Sequence, residues 1–186
     1  MDAPAHAPDP DAEAERLRRA RRGDGAAFEA LYHDHARAVH ALAFRLTGNA
    51  AEAEDIVQET FLRMFGFLSG LRENTPLRPW LKRVAANLAI DRLRRQQHPG
   101  TDMALAALVD PASASPADAA DADTLLRRLP PLARTVVWLH EMEGWSHEDL
   151  GRRFGRTASW SKSLMSRSLA RLRQDLDPHG DAPHDA

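Results

Sequence analysis

Five histidines invite a metal or acid–base reading: His33, His35 and His40 in one stretch, His140 and His147 in another. None sits in the His-Glu-x-x-His spacing that places two imidazoles and a general base on one turn of a zinc-protease helix. His35 falls among apolar residues at helical spacing and reads as a core histidine. The chain has no cysteine, which excludes thiolate metal sites and disulfides. No glycine-rich phosphate loop, nucleophile–base arrangement or pocket of paired carboxylates occurs. No catalytic residue, metal ligand or cofactor site is therefore expected, and the chain does not read as an enzyme.

Three polar faces are better organised than any reactive group. Along AEAEDIVQETFLRMF, residues 51–65, Ala53, Val57, Thr60, Phe61 and Met64 share one side of a helix and form a buried stripe. Asp55, Gln58, Glu59 and Leu62 keep the same spacing on a second side, with no base next to the acids to pair them. That face suits either a solvated acidic surface or a docking surface. Downstream, SGLRENTPLR is a polar loop carrying Arg72, Asn74 and Thr75, followed by a helix face of Arg83, Asn87, Asp91 and Arg94. With Trp80 as a stacking surface, this set could hold a nucleic-acid strand, since base–aromatic stacking is worth roughly 1–3 kcal/mol per base. Taken alone, a tryptophan at a helix start is more often a core residue than a base-stacking one. The third face holds Arg156, Ser159, Trp160, Lys162, Ser163, Ser166 and Arg167, at the N-terminal half of the last helix. Serines and cations there can meet phosphates or base edges; the other reading is a basic solvated helix.

These faces need helices to carry them, and no strand-like alternation appears anywhere. Asp24 can cap a helix from about Ala26, with Phe28, Leu31, Tyr32, His35, Val39, Leu42, Ala43 and Leu46 as its apolar stripe. Thr47-Gly48 ends it. Asn49 with Glu52 starts the second helix as a capping box, and Pro79 suits the first turn of a third, Trp80 to about Gln97. Asp123 to Leu129 forms a short helix before Pro130, and Pro131 begins the next. Ser146, with Asp149 three residues on, caps a helix to Phe154; Gly155 turns the chain and Thr157 caps the last helix. Two short helices across a glycine turn, the second strongly basic, predict a helix-turn-helix with Leu150, Phe154, Leu164 or Met165, Leu169 and Leu172 as its core.

The whole is therefore expected to be all-α, two small helical domains joined by a flexible acidic linker. The boundaries read as a disordered tail over 1–22, a first domain over 23–97, a linker over 98–122, the helix-turn-helix domain over 123–174, and a second tail over 175–186. Net charge is close to neutral, 25 Lys and Arg against 27 Asp and Glu, but the charges are segregated. Residues 151–173 hold seven bases and no acid, and 71–95 hold seven bases against two acids, while 99–123 hold five aspartates and no base. Such segregation points to local polyanion contacts. No apolar run of about 18 residues exists to span a membrane, and the N-terminus lacks the order of a secretory signal. A cytoplasmic protein is expected.

The order of these motifs resembles bacterial sigma factors, and more narrowly the small extracytoplasmic-function group. AEAEDIVQETFLRMF, then a polar loop, then PWLKRVAANLAIDRLRR, is similar to the group's second region. LLRRLPPLARTVVWLHEMEGWSHEDLGRRFG, including Leu129-Pro130 and Arg134, is similar to its fourth, a winged-helix-like helix-turn-helix. The resemblance implies a protein that binds core RNA polymerase, directs it to promoters and assists melting of the −10 element. Asp55, Gln58, Glu59 and Leu62 would meet the clamp helices of the β′ subunit, and the fourth region the β flap. Arg72, Asn74, Thr75, Trp80, Arg83, Asn87, Asp91 and Arg94 would lie at the −10 element, whose flipped base the loop would hold. The last helix would read the −35 element. An anti-sigma factor is a further implied partner. One string departs from the family: where relatives carry a GTVKSRL-like sequence, this chain has SWSKSLM, with Trp160 and Ser161 replacing Thr-Val and Leu164 replacing Arg. That change should alter which sequence is read. The alternative function is a helix-turn-helix regulator that never joins polymerase.

Overall fold

The structure, a computed structural model, describes residues 10–72, 75–96 and 122–176. The described residues form helices and turns with no strand among them. They fall into two compact units, one from the residues up to 44 together with 49–88, the other from 45–48 together with those from 89 onward. Residues 45–48, at the end of one helix, and 89–96, at the end of another, cluster with the second unit. The expected linker lies outside the described residues apart from Ala122, and the expected C-terminal tail lies outside them from residue 177.

The first unit begins with a correction. Pro10–Arg21 is a helix, α1, where the sequence suggested a disordered tail. Only Leu17 and Ala20 are buried along this strongly polar segment, so tertiary contacts hold it. The Glu13 carboxylate accepts a hydrogen bond from the Leu77 backbone N–H at 3.3 Å. Its other oxygen lies 3.0 Å from His35 Nε2. Arg21 Nε donates to the Leu68 carbonyl at 3.0 Å, and Arg16 pairs with Asp34.

Helix α2, Gly25–Thr47, starts where Asp24 Oδ1 accepts from the Ala27 N–H at 3.1 Å. That hydrogen bond, followed by one from Arg19, holds the Asp24 carboxyl below its ordinary range. Leu31, His35, Val39, Leu42, Ala43 and Leu46 of the expected stripe are buried, whereas Phe28 is half-buried and Tyr32 reaches the surface. Helix α3, Ala50–Phe67, is capped by Asn49, whose side chain accepts from the Glu52 N–H. It buries Ala53, Val57, Thr60, Phe61 and Met64 as expected, with Ile56 added. A 3-10 turn, Leu68–Gly70, leads to α4, Leu77–Gln96, which starts three residues before the expected Trp80. Leu77, Leu81 and Leu88 are buried on it, and Val84 half-buried.

The second unit contains α5, Ala122–Arg127; α6, Pro131–Glu141; α7, His147–Phe154; and α8, Ala158–Leu176. Ser146 caps α7 through the Asp149 N–H, and Thr157 Oγ1 accepts from the Trp160 N–H at 3.2 Å to open α8. Gly155 ends α7 at φ 68°. Between these helices the chains come close enough that a Cβ on Gly151 would lie 2.6 Å from the Thr157 carbonyl carbon. A helix-turn-helix this tight admits only glycine there. Its core joins Met165 and Leu172 to Leu129, Ala133 and Val137, with Leu164 and Leu169 packed against them.

Candidate functional site

On α3, Asp55 and Gln58 are exposed and Glu59 half-exposed, on the face opposite the buried stripe. Glu59 departs from the expectation of an unpaired acid: Arg63 Nε donates to Glu59 Oε1 at 2.9 Å, one helical turn on. Exposed pairs of this kind contribute little, so the face keeps its acidic character at modest cost. Leu62 is 66% exposed, and Phe65, three residues further on, 64%. Phe65 meets Phe28 edge-to-face at 5.4 Å, and Tyr32 packs on Phe61 at 4.7 Å. Two large apolar side chains in water beside two carboxylates are unusual enough to mark an interaction surface. Sequence reasoning found Leu62 and missed Phe65, although the i+3 step from Leu62 was there to be read.

The second set divides. Arg72 is exposed and Thr75 half-exposed at the ends of the loop, Asn74 lies outside the described residues, and Trp80 is half-buried. Arg83 is exposed and Asn87 half-buried. Further along α4, in the second unit, Asp91 Oδ2 accepts from Arg153 at 3.0 Å, and Arg94 donates to the Arg153 carbonyl at 3.3 Å. Asp91 and Arg94 are thus engaged with α7 in this state.

On α8, Ser159, Lys162, Ser163, Ser166 and Arg167 are all exposed, with Arg156 exposed just before the helix. Their spacing gathers them along one side. Trp160 differs from these in its packing. It is half-buried, its ring 5.3 Å from that of Phe154, so most of the indole packs within the motif rather than standing free at a groove. Its neighbour Ser161 is fully buried, its hydroxyl 3.1 Å from His147 Nδ1. The His147 ring stacks on His140 at 4.1 Å, and His140 Nδ1 donates to the Trp145 carbonyl at 2.7 Å. Burial, then the adjacent His140 and Lys162, lower the His147 pKa and favour the neutral imidazole. Two of the family-divergent positions are therefore packing positions. Arg134 is buried, its basicity reduced by burial, and donates to the Leu46 carbonyl at 3.4 Å. Among the described residues no cluster of three or more candidate metal ligands occurs, and no helix is long and apolar enough to cross a membrane.

Comparison with known proteins decides what these surfaces belong to. Residues 31–98 match the family described as sigma-70 region 2, and residues 120–172 that described as sigma-70 region 4. The RNA polymerase sigma factor CarQ of Myxococcus xanthus is 35% identical over 168 residues, covering 86% of this chain and 95% of CarQ. This chain belongs to the extracytoplasmic-function group of sigma-70 family RNA polymerase sigma factors. The group's SigM of Mycobacterium tuberculosis is 34% identical over 152 residues, 81% of this chain and 77% of SigM. Among solved structures, CnrH in complex with the cytosolic domain of CnrY matches with a TM-score of 0.53 and 23% identity, covering 91% of this chain and all of that one. At that identity the likeness supports the fold. Sigma factors as a class are not enzymes.

Proposed function

We propose that this sigma factor docks on core RNA polymerase through the α3 face of Asp55, Gln58, Glu59 and Leu62, extended by Phe65, against the β′ clamp helices. The observation that carries this reading is the coincidence, on one helix face, of exposed carboxylates with two apolar side chains that are each about two-thirds exposed. Apolar anchors ringed by charge are what a specific protein interface requires. The loop from Arg72 to Thr75, with Trp80, Arg83, Asn87, Asp91 and Arg94, then meets the −10 element of the non-template strand as the duplex opens. The exposed serines and cations of α8, from Ser159 to Arg167, with Arg156, meet the −35 element, and the helix-turn-helix unit meets the β flap. Bond-making belongs to the polymerase, and the chain contributes binding, positioning and strand capture. Its place is the cytoplasm, with the polymerase, and an anti-sigma factor would hold it until release. A regulator that never joins polymerase would leave the α3 face without a role.

Transcription from a genomic promoter pool by purified core polymerase tests this reading. Addition of the chain is expected to yield a discrete set of transcripts sharing upstream elements. Transcripts no different from those of core polymerase alone would refute it.

A further inference from the structure

Ser161 stands where the family string has valine, and it is fully buried between the half-buried Trp160 and the exposed Lys162. An apolar side chain would fill that place readily, whereas a buried hydroxyl is costly unless it finds a partner. Inside a helix a serine ordinarily turns back to the carbonyl one turn earlier. The buried Ser168 on α8 does so, donating to the Leu164 carbonyl at 2.7 Å. Ser161 reaches across to another helix, its Oγ 3.1 Å from Nδ1 of His147, the first residue of α7. The His147 ring lies on that of His140, centroids 4.1 Å apart and planes 18° apart. His140 is fixed through Nδ1 to the carbonyl of the buried Trp145, whose N–H donates to the Leu139 carbonyl at 2.9 Å. One polar chain thus runs from the end of α6, through the turn and the start of α7, into the N-terminal half of α8.

The surroundings of His147 set the charge state in which this chain holds. The ring faces His140 and Glu141 from α6 and Lys162 from α8. Burial, then His140 and Lys162, lower its pKa from the ordinary 6.5, with Glu141 pulling the other way. A neutral ring protonated at Nε2 presents an Nδ1 lone pair to the Ser161 hydroxyl. Protonation turns Nδ1 into a donor and sets a cation beside Lys162 and the His140 ring. The arrangement is therefore whole above about pH 6.5 and is lost as pH falls through that value towards the lower folded-state one.

We propose that His147 and Ser161 are positioning residues for promoter reading: their contact between helices fixes the rotation of α8, and with it the presentation of Ser159, Lys162 and Ser163 to the −35 element. The proposal rests on the sigma-factor reading, and its test separates the two. Holoenzyme is reconstituted from core polymerase and the full chain, as wild type, Ser161→Ala, Ser161→Val or His147→Asn. Valine keeps the space filled, which separates loss of the hydrogen bond from loss of packing, and asparagine places a non-titrating amide where Nδ1 lies. Circular dichroism checks that each chain is folded. The readout is the ratio of affinities for a promoter recovered from the transcription pool and for the same promoter with its −35 element scrambled. That ratio cancels pH effects common to both DNAs. At about pH 7.5 both Ser161 variants are expected to lower it roughly 2- to 12-fold, the fold-change to which one neutral hydrogen bond converts, and His147→Asn to retain it. Between about pH 7.5 and 5.5 the wild-type ratio is expected to fall while that of His147→Asn stays level. A folded Ser161→Val chain that discriminates as the wild type does overturns the proposal. So does a wild-type ratio that holds or rises in acid, or a His147→Asn ratio that falls as the wild type's does. Failure of the wild-type chain to join core polymerase, or a wild-type ratio of about one at the higher pH, would instead refute the reading on which the proposal stands.

Discussion

His35 shows how a single side chain can be structural and still report on solution conditions. It is fully buried, and burial lowers its pKa below the ordinary 6.5 despite the opposing pull of the Glu13 and Asp34 carboxylates and the hydrogen bond that its ring donates to Glu13. The unfolded chain therefore takes up this proton at higher pH than the folded one does. Stability from this group is full above about pH 6.5 and is lost as pH falls through 6.5 towards the lower folded-state value. His35→Gln is expected to flatten the pH dependence of the urea midpoint between pH 7 and 5 relative to the wild type. An equal slope in both proteins would show that His35 is not the titrating group. The core role of His35 was legible from its helical spacing. Its partner was not, because Glu13 lies on a segment whose sequence holds only two buried residues.

At the scale of elements, caps and turn glycines were legible because their chemistry is local. Asp24, Asn49, Ser146 and Thr157 each accept the backbone N–H that their position predicted. Helix α1 was not legible, since its stability comes from Leu17, Ala20 and long-range hydrogen bonds rather than from its own pattern. The packing of Trp160 on Phe154 was not legible for a related reason: an indole at a helix start can point to solvent or into the motif, and spacing alone does not choose. Two glycines in helices make opposite predictions. Gly151→Ala forces a Cβ against the Thr157 backbone and is expected to destabilise the helix-turn-helix by about 1–3 kcal/mol. Gly66, in exposed helix α3 with nothing within 4 Å of a Cβ, should gain roughly 0.5–1 kcal/mol as alanine. Thermal or urea unfolding of the two variants checks both, and shifts of the same sign would contradict the close approach at Gly151.

Across the whole molecule the charge pattern matters more than its sum. Net charge is −2, yet the N-terminal half of α8 presents Lys162 and Arg167 with no acid between residues 151 and 173. Promoter binding by the holoenzyme should weaken steeply with salt, and Lys162→Ala or Arg167→Ala should each reduce the salt slope by about one if the residue meets a phosphate. A slope unchanged in both would remove α8 from the DNA contact. The all-helical class and the helix-turn-helix were legible from periodicity and punctuation. The grouping of 45–48 and 89–96 with the second unit has no local signal in the sequence, because it comes from long-range contacts.

The central claim is that the α3 face is the polymerase-docking surface. Its most direct test is the affinity of purified core polymerase for the fluorescently labelled chain, wild type against the triple variant Asp55→Ala, Gln58→Ala, Glu59→Ala, with circular dichroism confirming that both are folded. The triple variant should bind at least tenfold more weakly, a loss of about 1.4 kcal/mol or more. A folded triple variant that binds core polymerase as tightly as the wild type would contradict it.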